Sequence, residues 1–192
     1  MSKRKLGFIG LGIMGRPMCK NLLDAAYSVR VWDRHQLAID ECVKHGAVAG
    51  NSAKDVAEKS EVVITMVVDS PDVQEVVLGP NGVLEGAGPG MIFIDMSTIS
   101  PKVTKEIAER LNERGNKMLD APVSGGETGA RAGTLSIMVG GPGNVFKECL
   151  LIFEGLDENI THIGEENGAG QSTKLCNQVV DALNILAICE GF

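Results

Sequence analysis

Excess positive charge is absent from this sequence. Its 192 residues carry 18 Lys and Arg against 25 Asp and Glu, a net charge of −7. A surface that gathers polyanions needs the opposite balance, so nucleic acid is not an expected partner. Long apolar runs are missing too. None is long enough to span a bilayer, and no membrane association is expected. The basic start Met1-Ser-Lys-Arg-Lys5 runs straight into glycine-punctuated sequence. It lacks the uninterrupted apolar stretch and small-residue cleavage site of a secretory signal. The five cysteines (Cys19, Cys42, Cys149, Cys176, Cys189) are odd in number and never spaced C-x-x-C. That argues against a disulfide frame or a zinc site and leaves them as reduced residues of a cytoplasmic protein. The histidines, His35, His45 and His162, have no ligand spacing, so no metal is expected. Repeats at solenoid period and low-complexity segments are also absent.

What is present is one ordinary globular domain with some length left over, 44% of it hydrophobic. The chain is organised around Leu6-Gly-Phe-Ile-Gly10-Leu-Gly12-Ile-Met-Gly15. An apolar run, Leu6 to Ile9, reads as a buried strand. It breaks into Gly10, Gly12 and Gly15, and an apolar helix pattern of Met14, Met18 and Leu22 follows. Strand, glycine turn and helix in this order make the dinucleotide-binding fingerprint. Gly10 permits the tight turn, Gly12 lets the backbone approach a pyrophosphate, and Gly15 lets helix and strand pack closely. The helix N-terminus presents N–H groups and partial positive charge to phosphates. A second strand, Ser28 to Trp32, ends in Asp33, about where an acid is wanted for ribose hydroxyls. Asp33 favours NAD, because its charge repels a 2′-phosphate, while the adjacent Arg34 could accept one and so admit NADP.

Further along, the spacing predicts a helix over 36–45 and a short strand over 47–49. A helix capped by Asn51 or Ser52 should run to about Lys59. Glu61 to Val68 reads as a near-continuous buried strand of a parallel sheet. Ser70 as cap with Pro71 behind it opens the next helix. Asn81-Gly82 and Gly88-Pro89-Gly90 are turns, and Met91 to Asp95 is a strand. Ser100-Pro101 opens a helix that Gly115 closes. Strand 118–123, a glycine-rich loop, strand 134–139, helix 145–154 and strand 160–163 follow. This alternation argues a Rossmann-type doubly wound α/β fold with a mostly parallel sheet. From about Gly170 the chain reads as one helix, apolar nearly all round, which should be buried against a second copy or further sequence.

Ligands of such sheets bind at the carboxyl ends of strands. Three of those ends carry polar or glycine-rich sequence: Met66-Val-Val68-Asp-Ser70, Ser97-Thr98 and Ser124-Gly125-Gly126. The last can offer successive N–H groups and a hydroxyl to a carboxylate. In Gly168-Ala-Gly170-Gln-Ser-Thr-Lys174-Leu-Cys-Asn177-Gln178, glycines precede a helix on which Lys174, Asn177, Gln178 and Asp181 share a face. Lysine can give a proton to a carbonyl oxygen and take it back in reverse, and Asn177 can hold a hydroxyl or carboxylate.

Gly7 to Gly15, Asp95-Met-Ser-Thr98, Asp120-Ala-Pro-Val-Ser-Gly-Gly126 and Gly168-Ala-Gly-x-x-x-Lys174-x-x-Asn177 resemble the four signatures of the β-hydroxyacid dehydrogenases, the 3-hydroxyisobutyrate dehydrogenase-like family. The resemblance covers essentially the whole chain. It implies Lys174 as catalytic acid/base, and Ser124, Gly125, Gly126 and Asn177 on the substrate carboxylate and hydroxyl. Thr98 would lie by the nicotinamide ribose and substrate. The cofactor would be lined by Gly10, Leu11, Gly12, Ile13, Met14, Gly15, Asp33, Arg34, Met66, Val67 and Val68. The implied reaction passes a hydride between NAD(P)H and a short oxo acid, with 2-hydroxy-3-oxopropanoate giving glycerate, or else 3-hydroxyisobutyrate or a related 3-hydroxy acid, as substrate. A 6-phosphogluconate dehydrogenase shares the glycine motifs but places His-Asn after its lysine, where this chain has Asn177-Gln178. A reading of another class is a non-catalytic NAD(P)-binding module. The family pattern also implies a Rossmann domain over 1–164 and, over 165–192, the lysine segment with the start of a helix leading to an all-helical second domain. It implies a homo-oligomer formed through that helix or that domain.

Overall fold

The computed structural model describes residues 3–191. Five short parallel strands alternate with helices through the first part of the chain. These are β1 (Leu6–Ile9), α1 (Gly15–Asp24), β2 (Val29–Trp32), α2 (Gln36–Lys44), β3 (Val48–Ala49), α3 (Ala53–Glu58), β4 (Val62–Thr65), α4 (Ser70–Leu78), α5 (Val83–Gly86), β5 (Ile92–Asp95) and α6 (Pro101–Glu113). The rest comprises β6 (Lys117–Asp120), β7 (Val123–Ser124), α7 (Gly126–Ala132), β8 (Ser136–Gly140), α8 (Gly143–Glu154), β9 (Asn159–Gly164) and α9 (Ala169–Gly191). The sheet order is β3-β2-β1-β4-β5-β6-β8-β7, with β9 paired to β8. Strands β1 to β6 run parallel, while β8 is antiparallel to β6 and β7. This is the Rossmann-type doubly wound fold, and its order reverses between β1 and β4.

Alternation along each strand explains the two layers. Val62 and Ile64 of β4 face one core, shared with Met18 and Leu22 of α1, Ile39 of α2 and Phe153 of α8. Val63 of β4 and Phe93 of β5 face the other, with Val56 of α3, Val73 of α4 and Ile107 of α6. Both faces of the sheet are covered, so these strands are apolar up to their last residues, Thr65 and Asp95.

Several details depart from the sequence reading. Strand β4 stops at Thr65, where its partner β5 stops at Asp95, and Met66 onward turns away as loop. The cap of α4 is Asp69, which accepts from the Asp72 N–H, and not Ser70, which is already helical. Of the two candidate caps, Asn51 and Ser52, it is Ser52 that caps α3, by accepting from Asp55 N–H. Ser100 precedes α6 without a side-chain cap bond. The glycine-rich stretch after Ser124 is not a loop: it winds into α7, which is pinned when Asn21 Nδ2 donates to the Ala130 carbonyl at 2.9 Å.

Helix α9 differs most. Only Gly170, Gln171 and Lys174 are buried. Val179, Val180, Leu183, Ile185, Leu186 and Ile188 are between 55 and 63% exposed. The final residue of the expected helix, Phe192, lies outside the described residues. Among the described residues no helix is long and apolar enough to cross a membrane.

Candidate functional site

At the reversal point between β1 and β4 lies a cleft of about 370 Å³. Gly10, Gly12, Ile13, Met14 and Gly15 line one side, Trp32, Asp33, Arg34 and His35 the end of β2, and Met66, Val67 and Val68 the loop after β4. The three glycines act as their spacing predicts. Gly10 has φ +93°, and a Cβ there would meet the Met66 carbonyl oxygen at 2.2 Å. A Cβ on Gly15 would sit 1.9 Å from the Gly10 carbonyl oxygen. A Cβ on Gly12 would meet nothing within 4 Å, so the room beside it faces the open cleft. No side chain caps α1; Arg16 N–H donates to the Gly12 carbonyl at 3.2 Å and Pro17 has no N–H, so the helix start offers an anion the Gly15 N–H and its partial positive charge. The residues therefore fit a dinucleotide.

Asp33 is fixed from two sides. Its Oδ2 accepts from Leu11 N–H at 2.7 Å and its Oδ1 from His35 N–H at 2.8 Å. It thus ties the glycine turn to the end of β2 and still has lone pairs for a hydroxyl. Arg34 Nη2 donates to Asp72 Oδ1 at 2.7 Å. Leu11 turns its side chain into the core and reaches this region only through its backbone. Ile9, Trp32, His35 and Val76 also line the cleft, though the sequence reading did not assign them to it.

Beside the cleft, Thr65, Asp95 and Asp120 stand in register at the ends of β4, β5 and β6. Thr65 Oγ1 donates to Asp95 Oδ1 at 2.8 Å, and Ser97 N–H donates to the same oxygen at 3.1 Å. Asp95 Oδ2 has no partner. Full burial pushes the Asp95 carboxyl up to about 6, against the hydrogen bonds from Ser97 and Thr65 and with help from the charge of Asp120. Ser97 Oγ accepts from Val67 N–H at 3.0 Å, which anchors the cleft loop to this network.

Asp120 caps α9. Its Oδ1 accepts from Gly168 N–H at 2.7 Å and its Oδ2 from Gln171 N–H at 2.9 Å. Burial raises its carboxyl, while these backbone bonds oppose the rise. The first turn of α9 lies against the sheet so closely that a Cβ on Gly170 would be 2.3 Å from the Met138 carbonyl oxygen. One turn on, Lys174 is only 7% exposed. Its Nζ reaches Asn177 Oδ1 at 3.5 Å. Burial pushes the ammonium below its ordinary range, and the negative charge of Asp181 works against that.

The structure gathers the residues expected to line a cofactor into one cleft, except that Leu11 enters only by its N–H and Thr98 stands outside the lining. The residues expected on the substrate side occupy separate elements. Thr98 is half-buried between Ser97 and Ile99, and Ser124 ends β7 opposite Ser136. Gly125 (φ +134°) and Gly126 (φ +61°) are exposed at the start of α7, and Asn177 is half-buried on α9. Gln171 went unnoticed in the sequence. It is fully buried and bridges α9 to the Thr98 loop, through partners 72 and 74 residues away.

Residues 5–164 match the family described as the NAD binding domain of 6-phosphogluconate dehydrogenase. The chain is similar to 2-hydroxy-3-oxopropionate reductase of Escherichia coli (strain K12), with 50% identity over 97% of this chain and 63% of the relative. It is also similar to NAD-dependent L-serine dehydrogenase of Pseudomonas aeruginosa, with 42% identity over 98% of this chain and 63% of the relative. Among solved structures, Mycobacterium tuberculosis 3-hydroxyisobutyrate dehydrogenase with L-serine superposes with a TM-score of 0.94 at 38% identity, covering 100% of this chain and 64% of that one. The chain thus spans less than two thirds of the length of each of these relatives.

Proposed function

Because this chain belongs to the family of the NAD binding domain of 6-phosphogluconate dehydrogenase, we propose that it is the cofactor-holding part of an NAD(P)-dependent β-hydroxyacid dehydrogenase. The observation that carries the reading is Lys174: a buried lysine whose ammonium reaches the Asn177 amide oxygen at 3.5 Å, on a turn pinned to the strand ends beside the cleft. A lysine kept from water, its pKa lowered by burial, is suited to proton exchange at lower pH than an ordinary lysine.

In this reading residues 1–164 hold the cofactor and 165–192 bring the lysine. The N-terminus of α1 takes the pyrophosphate, Asp33 takes a ribose hydroxyl, and Met66, Val67 and Val68 line the cofactor. NADH or NADPH supplies the hydride when bound. Lys174 gives its proton to the substrate carbonyl oxygen and recovers it in the reverse direction. Ser124, Gly125, Gly126 and Asn177 hold the carboxylate and hydroxyl, and Thr98 lies toward the nicotinamide ribose. NAD is favoured over NADP, since Asp33 faces the cleft and Arg34 is tied to Asp72. The first substrate candidate is 2-hydroxy-3-oxopropanoate, reduced to glycerate, supported by the likeness to the reductase of that name. The 3-hydroxyisobutyrate class is second, supported by the structural likeness to its dehydrogenase. Assembly of copies through the exposed face of α9 completes the proposal.

The test is a panel of short oxo and hydroxy acids with NADH and NADPH on the complete gene product, wild type and Lys174→Ala. Wild type should reduce 2-hydroxy-3-oxopropanoate, and Lys174→Ala should lose roughly 10²- to 10⁴-fold in kcat while NADH binding, read from Trp32 fluorescence, is retained. An unchanged rate would reject Lys174 as the acid/base, and a wild type that binds NADH but reduces nothing on the panel would leave a nucleotide-binding module without the proposed chemistry. The alkaline limb of kcat for reduction should fall below the ordinary lysine range. Asp181→Asn should move it lower still, because the Asp181 charge holds the Lys174 pKa up.

A further inference from the structure

We infer that Gln171 is a positioning residue, one that sets the turn bearing Lys174 against the loop bearing Thr98. The inference rests on the reading of Lys174 as acid/base. The carboxamide of Gln171 is fully buried, and both of its polar atoms are used across the gap between α9 and the loop after β5. Its Nε2 donates to the Ser97 carbonyl at 2.7 Å, and its Oε1 accepts from Ile99 N–H at 3.0 Å. These are the peptide groups on either side of Thr98. One side chain therefore satisfies the acceptor and the donor that a neighbouring strand would satisfy. The backbone N–H of the same residue donates to Asp120 Oδ2 at 2.9 Å. Gln171 thus joins three pieces of the chain at one point: the Thr98 loop, the end of β6 and the first turn of α9.

Lys174 follows three residues later on the same face of the helix. A lysine side chain is long and loses much rotamer freedom when held in one place. Little holds this one at its tip, because its recorded hydrogen bond, to Asn177 Oδ1, is 3.5 Å long. Its placement must come from the backbone it springs from. That backbone cannot slide along the sheet, given the close approach of Gly170 to Met138. It can still pivot about that contact, and the Gln171 carboxamide is the bond pair that resists a pivot relative to Thr98. Ser97 ties the same loop to Val67 in the cleft, so the clamp connects the lysine turn to the cofactor side as well.

The experiment uses the complete gene product with NADH and 2-hydroxy-3-oxopropanoate. Gln171→Met keeps the length and removes both hydrogen bonds. It should leave NADH affinity within about twofold and lower kcat by about ten- to a hundredfold, with KM changing less. Gln171→Glu is the rescue. A protonated carboxyl offers the same donor and acceptor pair as the amide, so this variant should regain kcat as pH falls, with an acid-side rise that wild type lacks. If Gln171→Met loses thermal stability but keeps kcat within twofold, the role is structural and the inference fails. If Gln171→Met does not fold, the pH profile of Gln171→Glu decides, and a profile parallel to wild type rejects the inference. An inactive Lys174→Ala beside a fully active Gln171→Met rejects the positioning role alone. An active Lys174→Ala rejects the acid/base reading beneath it.

Discussion

Helices α1 and α9 both spring from glycine turns at the carboxyl ends of strands, yet they are held by opposite means. Helix α1 is held by apolar packing: Met18, Cys19 and Leu22 are fully buried, and no side chain caps its start. Helix α9 is held by polar contacts: Asp120 takes the N–H groups of Gly168 and Gln171, and the Gln171 carboxamide takes the Thr98 loop. Beyond Lys174 its apolar side chains are exposed. The difference sets what each helix can offer a ligand. Because no side chain caps α1, the Gly15 N–H and the positive end of the helix dipole are left for a phosphate, while Arg16 N–H donates to the Gly12 carbonyl at 3.2 Å and Pro17 has no N–H. Because Asp120 consumes the terminal N–H groups of α9, that helix can contribute only side chains, and Lys174 and Asn177 are the ones at hand.

The comparison breaks most severely at Gly15. Gly15→Ala puts a Cβ 1.9 Å from a backbone oxygen that cannot swing aside. We expect a loss of about 3 kcal/mol or more in urea unfolding, together with loss of the Trp32 fluorescence response to NADH. Wild-type behaviour would mean that close backbone approach does not fasten α1. Next is the carboxylate network beside α9. Asp95 is raised from 3.8 to about 6, so the folded chain binds that proton more tightly than the unfolded chain does. Stability should therefore fall as pH rises through this window, by about 3 kcal/mol for this group. Asp120 and Asp157 are raised too. The contribution of Asp95 is then the difference in slope between wild type and Asp95→Asn. Equal slopes would show that Asp95 carries no such penalty. The smallest effect is expected on the exposed half of α9. Val180→Gln and Leu183→Gln should each change the stability of the dilute chain by no more than about 0.5 kcal/mol. Light scattering should show less assembly in the same variants. A larger loss in the dilute chain would place this face in the core.

Legibility in the sequence followed the range of the forces involved. The turn from Gly10 to Gly15 could be read because a positive φ or an excluded Cβ is a property of one position. The cap of α3 could be narrowed to Asn51 or Ser52 for the same reason, since the bond from Asp55 N–H to Ser52 spans three residues. Asp69 and Ser70 are both good caps, and only the path of the chain after Thr65 chose between them. The helix α7 was hidden because its glycines argue for a loop. It forms where Gly129 packs against Leu135 and Asn21 holds the Ala130 carbonyl. Gln171 looked like one more polar residue in a motif, because its partners lie 72 and 74 residues away.

The amino-acid order by itself determined the doubly wound fold and the glycine-lined cleft. Each of those depends on side-chain pattern and backbone freedom within a few neighbouring residues. Tertiary structure alone decided which carboxylate caps α9, which amide clamps its first turn and which apolar residues stay in water. Burial and long-range hydrogen bonding exist only once distant strands have been brought side by side.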